Sequence, residues 1–176
     1  MVRKLIWVNC SKKINKMKLT PSKINLFLLT KLPSAWLCGV RLTHIDNTSC
    51  VTTATHRWIN QNPFRSMYFA VQAMAAELST GAIVMKEINE SNLKISMLVA
   101  ENTSAFHKKA TGRIKFTCLD GDLVRSSVKK CETDPEGQKF WMTSIAKNEN
   151  GDIVSEFKFL DTAKKIKIYM LNNISA

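Results

Sequence analysis

Long apolar runs are missing from this chain. None of its hydrophobic stretches reaches the roughly 18–20 residues that cross a bilayer, so no membrane helix is expected. A signal-peptide core is missing too: Asn9 and Cys10 end the short patch Leu5-Ile6-Trp7-Val8 behind the basic start. The expected compartment is therefore the cytoplasm. Cysteine is scarce and odd in number. Cys10, Cys38, Cys50, Cys118 and Cys131 cannot all pair, and none stands in a C-x-x-C spacing. Cys38, Cys50 and Cys118 lie in apolar or alternating stretches, where a free thiol packs as a small hydrophobe. His44, His56 and His107 are scattered with no i, i+4 pair, so no zinc site and no other metal or cofactor is expected. Internal repeats and low-complexity tracts are absent as well.

Acid is the other shortage. Lysine and arginine number 26 against 14 aspartates and glutamates, for a net charge of +12. The excess is concentrated: Arg3, Lys4, Lys12, Lys13, Lys16, Lys18, Lys23 and Lys31 fall within residues 1–31, where there is no acid. That segment carries +8 of the total, so the remainder is only mildly basic. A basic arm over residues 1–20 could meet nucleic acid or anionic lipid through phosphate attraction. No recognition-helix, zinc-finger or aromatic RNA-binding pattern accompanies it, so nucleic acid is not the expected partner. Met17 offers an alternative start that would make residues 1–16 optional.

What is present suits one globular domain. The 176 residues and their 45% hydrophobic content are ordinary for a packed domain, here taken as residues 21–176. Thr20-Pro21-Ser22 reads as a helix start and Pro33 as its stop, giving a short helix that covers one edge or face of the core. Two β-like runs follow, Ala35–Asp46 and Ser49–His56, joined by the turn Asp46-Asn47-Thr48 into a hairpin. Residues 58–64 read as a loop.

Ser66 is the N-cap candidate for a helix over Met67–Thr80, ending before Gly81 or bending on through Ile83-Val84-Met85. Its residues are apolar on every side, so protein must surround it. Strands are expected over Lys94–Ser104, Ala110–Asp120, Leu123–Glu132, Lys139–Lys147 and Ile153–Phe159. Asp120-Gly121 and Asn150-Gly151 read as hairpin turns. Strands repeating without intervening helices imply an antiparallel sheet.

Helix, two strands, apolar helix, then four or five strands is the order of an α+β fold in which a curled antiparallel sheet wraps a long buried central helix. One small sheet cannot cover every side of that helix, so a homodimer or higher homo-oligomer is expected. This order, together with Asn62-Pro-Phe-Arg-Ser-Met-Tyr-Phe-Ala-Val-Gln-Ala-Met-Ala-Ala-Glu77-Leu, resembles the hotdog-fold thioesterase superfamily over roughly residues 35–160. Lys109-Ala-Thr-Gly-Arg-Ile-Lys-Phe-Thr-Cys118 resembles that family's strand beside the substrate channel. The nearest likeness is to a little-characterised, thioesterase-like branch.

Glu77 is the only charged side chain between Arg65 and Lys86, on a helix otherwise ringed by apolar groups. A buried, unpaired carboxylate is costly unless it serves a polar cavity, and its pKa rises. The resemblance implies an acyl-CoA or other acyl thioester substrate, with Glu77 as general base or nucleophile. A structural carboxylate, bonded at a helix end or paired across a dimer, is the other reading. The resemblance also places Asn62 near the thioester or the attacking water; shaping the turn before Pro63 is its plainer role.

Where related enzymes commonly carry His-Gly-Gly, this helix begins Tyr68-Phe69-Ala70. Tyr68 is implied as the replacement donor, and the backbone N–H groups of Phe69 and Ala70 as the oxyanion site. Gln72 could orient a water or be a satisfied core amide. Lys108, Lys109 and Arg113 are candidates for the phosphates of a CoA tail, or are simply solvated. A non-catalytic acyl or acyl-CoA binding protein is the alternative on the same fold. A basic-arm nucleic-acid interaction protein is the third.

Overall fold

Pro21 fills the first turn of helix α1 (Pro21–Lys31) in the computed structural model of the chain, which describes residues 19–91 and 93–166. The basic arm falls outside the described residues apart from its last two positions. Helix α1 buries Ile24 and Leu28 and presents Asn25 to the first strand. The Asn25 amide donates to the Leu42 carbonyl and accepts from the Leu42 N–H, both at 2.9 Å. A side chain thus takes the place of a neighbouring strand at that edge of the sheet.

Pro33 ends α1 but also begins a second helix, α2 (Pro33–Leu37), so the strand expected from Ala35 starts only at Arg41. Gly39 has φ +84°, and the N–H groups of Gly39 and Val40 reach back to the carbonyls of Trp36 and Ala35, both at 3.0 Å. That is a Schellman ending. The alternation through Trp36, Cys38 and Val40 hid it. Strands β1 (Arg41–Ile45) and β2 (Cys50–Thr55) then form the expected hairpin. Its turn is held by Asp46 Oδ1, which accepts from the N–H groups of Thr48 and Ser49 at 2.8 and 2.7 Å.

A single 3₁₀ turn (Trp58–Asn60) leads into the central helix α3 (Phe69–Ser91), 23 residues long. It starts two residues later and runs much further than the pattern to Thr80 implied. Gly81 does not end it: Gly81 lies buried in its middle, where a Cβ would stand 3.2 Å from the Glu77 carboxylate. Ser66 does not cap it either, being held in the preceding turn by Asn62.

Four more strands and one more helix follow: β3 (Ile95–Phe106), β4 (Arg113–Cys118), α4 (Gly121–Lys130), β5 (Gln138–Lys147) and β6 (Ile153–Lys165). All six strands join one antiparallel sheet in the order β1-β2-β4-β5-β6-β3. The sheet curls around α3. Buried hydroxyls fasten the two together, Thr52 donating to the Ala75 carbonyl at 2.6 Å and Ser79 bonding Ser144 at 2.8 Å.

Helix α4 corrects the strand expected over Leu123–Glu132. Val124, Val128 and Cys131 are buried at i, i+4 and i+7, which is a helical period. Asp120-Gly121 is therefore not a hairpin; β4 and β5 pair with each other across the inserted helix. Glycine is needed at 121 for a different reason. A Cβ there would collide with the Asn47 carbonyl and the Thr48 backbone. The α3–α4 contact is reinforced by ions: Lys86 bonds Asn47 at 2.7 Å, Glu87 at 3.2 Å and Glu90 at 2.9 Å, and Arg125 approaches Glu87 at 3.5 Å.

The two edges of the sheet differ. Strand β1 is covered by α1, whereas among the described residues no strand lies on the outer side of β3, and residues 100–106 are all exposed. Among the described residues no helix is long and apolar enough to cross a membrane.

Candidate active site

The loop before α3 and the end of β3 meet around a cavity of about 490 Å³. Its lining brings together Asn62, Tyr68, Phe69, Gln72, Lys108 and Lys109, six of the residues singled out from sequence. Ala70 and Arg113 are not in that wall. Ala70 is half-buried on α3, and Arg113 begins β4 with its N–H 3.4 Å from the Glu149 carboxylate.

The cavity's amides are already engaged. Asn62 Oδ1 accepts from the N–H groups of Phe64 and Ser66 at 2.9 and 3.2 Å, and its Nδ2 donates to Ser66 Oγ at 3.1 Å. Those bonds build the turn in which Arg65 takes φ +57°. Gln72 donates to the Met67 carbonyl at 3.2 Å and accepts from Ser155 at 2.8 Å.

Tyr68 and Phe69 are exposed and stack edge-on at 4.8 Å; Phe69 continues to Phe106 and Phe106 to Phe157 at 6.5 and 5.7 Å. At the start of α3 the N–H groups of Val71 and Gln72 reach the Tyr68 carbonyl at 3.0 and 3.3 Å. Among the described residues those of Phe69 and Ala70 have no backbone acceptor outside the helix, the usual state of a helix N-terminus. Lys108 pairs with Asp152 at 3.0 Å, and Lys109 reaches the Phe64 carbonyl at 3.4 Å.

Glu77 stands apart from this cavity, eight residues along α3 and so about 12 Å further down the helix axis. It falls on the half-buried strip Ala70, Ala73, Met74 and Glu77. Its carboxyl packs over Gly81 beside Met97 of β3. Burial raises its pKa above the ordinary carboxylate value.

The structure adds a residue that the sequence did not single out. Asp161 of β6 is 1% exposed, and among the described residues neither of its carboxyl oxygens has a hydrogen-bond partner. Burial first, and then the charge of Glu77, push its pKa up to about 7. In sequence, Phe157, Phe159, Asp161 and Ala163 alternate toward the interior, so a period-two reading of the strand beyond Phe159 would have found an aspartate in an apolar row. Among the described residues no group of three or more His, Cys, Asp or Glu side chains could hold a metal ion.

Residues 22–160 match a protein family described as "Domain of unknown function (DUF4442)". The chain belongs to this family. Its fold is the hotdog fold, as the motif around Asn62–Glu77 implied. Solved structures share the fold. A Pseudomonas aeruginosa protein described as a "Probable Thioesterase" superimposes with a TM-score of 0.72 at 20% identity, covering 86% of this chain and all of its own. A protein from Chlorobaculum tepidum TLS also reaches 0.72, at 17% identity over 85% of this chain and 99% of its own. The thioesterase HI1161 of Haemophilus influenzae gives 0.65 at 9% identity over 90% and 98%. No curated protein matches the chain.

Proposed function

We propose that this DUF4442 protein hydrolyses acyl thioesters such as acyl-CoA, with Glu77 as general base or nucleophile. The observation that carries this reading is Glu77 itself: a carboxyl raised by burial, on a half-buried strip in the apolar first half of the central helix. As a base, Glu77 would take a proton from water while the water oxygen bonds to the thioester carbonyl carbon. The oxyanion then collapses, the C–S bond breaks, and the thiolate leaves with the proton that Glu77 had taken. As a nucleophile, the carboxylate would displace the thiolate to form an anhydride, which water opens to the free acid and the Glu77 carboxylate, its proton passing to the thiolate. An apolar strip suits the acyl chain, and Lys108 and Lys109 at the cavity mouth suit phosphates.

The site would be completed by a second copy of the chain. The β3 edge, unpaired among the described residues, and the half-buried strip of α3 support a homodimer, since each leaves groups that a partner would cover.

A panel of acyl-CoA esters with Glu77→Gln is the test. Turnover of at least one ester should fall by about a hundredfold or more, the scale for losing a general base, with substrate binding kept. Unchanged turnover in a folded variant would remove Glu77 from the mechanism. One observation favours acyl-CoA binding without catalysis. Phe69 lines the cavity where the related enzymes carry glycine, and both the Asn62 and Gln72 amides are spent on the protein itself. A binder would show saturable acyl-CoA affinity in wild type and no hydrolysis.

A further inference from the structure

Outside the cavity, the most anomalous group in the molecule is the Asp161 carboxyl. Both oxygens are sealed from solvent without a partner among the described residues, an arrangement that costs free energy unless the group stays neutral or serves another.

Its surroundings identify that other group. Across β3 and β5 its Cα faces Val99 and Phe140, neither of them ionisable. Two residues further along β6, Ala163 pairs with Met97. The Met97 methyl lies 3.6 Å from the position a Cβ would take on Gly81, and the Glu77 carboxylate lies 3.2 Å from that same position. Glu77 and Asp161 therefore open into one interior cleft between α3 and the β3–β6 pair. The other titratable groups toward it are thiols: Cys118 from β4, which feels the charge of Asp161, and Cys131 from α4, bonded to the Ala163 carbonyl at 3.2 Å. No cation is among them. Glu77 keeps part of its surface open, whereas Asp161 is closed off.

We infer that Asp161 is a positioning residue for Glu77: the two carboxyls titrate as a pair, and Asp161 keeps its proton so that Glu77 is the ionised member facing substrate. Burial makes Glu77 give up its proton less readily. A second carboxyl nearby that stays neutral spares Glu77 the repulsion of a like charge. Two carboxyls in one low-dielectric cleft cannot both ionise without repulsion, so the pair titrates in two separated steps. The upper step belongs mainly to Asp161, raised to about 7 by burial and by Glu77. The pairing stands on its own; the positioning role rests on the hydrolase reading.

The test separates them. Carbon-13 NMR of the aspartate and glutamate carboxyls, in the full chain, should show an Asp161 midpoint near neutrality. In Glu77→Gln that midpoint should fall by about one pH unit or more, because a neighbouring charge has gone. An unmoved midpoint would overturn the pairing, and neither result needs any hydrolysis. If the protein does hydrolyse an acyl-CoA, its rate should rise and then fall with pH as the two protons leave. Asp161→Asn keeps a donor but cannot ionise, so it should erase the alkaline fall while keeping the acidic rise. A fall that persists in that variant would overturn the positioning role. Should Asp161→Asn not fold, the titration of Glu77→Gln decides.

Discussion

Asp161 shows how a single residue couples folding to pH. Its folded value of about 7 lies above the ordinary 3.8. Between those values the folded protein holds a proton that the unfolded chain has released. The stability this confers is complete below the unfolded value and is lost as pH rises through the folded one. Glu77, raised in the same direction, adds to the effect. Denaturant unfolding should therefore give a lower stability at about pH 8 than at about pH 5, by on the order of 2 kcal/mol. Asp161→Asn should flatten that slope and be the more stable protein at the higher pH, since a costly buried charge is gone. An equal slope in the variant would mean that Asp161 is not the group responsible. Glu77 stood out in the sequence because no other charge lies between Arg65 and Lys86. Asp161 was not, because its strand was read only to Phe159 and one acid beside Leu160 and Thr162 looks like an ordinary surface residue.

At the scale of elements, α4 is the instructive case. Leu123, Val124 and Val128 permit either a strand or a helix, and Asp120-Gly121 is a hairpin signal. What decides is contact at long range. The Gly121 N–H donates to the Thr48 carbonyl at 3.1 Å, and the Gly121 Cα lies where no side chain fits. Gly121→Ala should accordingly cost about 1–3 kcal/mol, the scale of overpacking, despite alanine's higher helix propensity. Thermal melting is the check; a stabilised variant would show that the β1–β2 turn yields freely. The central helix erred in the opposite way. Gly81 and the more polar end from Lys86 suggested a stop. Tertiary packing overrides propensity here, with Gly81 fitted against the Glu77 carboxyl and Lys86 satisfied by Asn47, Glu87 and Glu90.

For the whole molecule, the proposed dimer rests on the unequal sheet edges. Asn25 of α1 occupies the hydrogen-bonding groups of Leu42 at one edge, and among the described residues β3 leaves a 12-residue strand open at the other. An edge of that length is a template for pairing. Light scattering after size exclusion, at micromolar concentration, should give about twice the 19.9 kDa chain mass. A clean single-chain mass would sink both the dimer and the idea of a site shared between copies.

The sequence by itself determined the α+β class, the antiparallel sheet and the apolar central helix, and it singled out Glu77 as a candidate. These follow from local chemistry: side-chain periodicity, turn residues, and the cost of a charge inside an apolar run. It also placed six site residues that the fold brings to one cavity. Only the tertiary structure decided that 121–130 is a helix, that α1 closes the β1 edge, that the Asn62 and Gln72 amides are taken up internally, and that Asp161 lies in the same cleft as Glu77. Those features depend on which distant segments touch. Asp161 is 84 positions from Glu77 in the chain, and strand pairing between β3 and β6 is what brings them to one cleft.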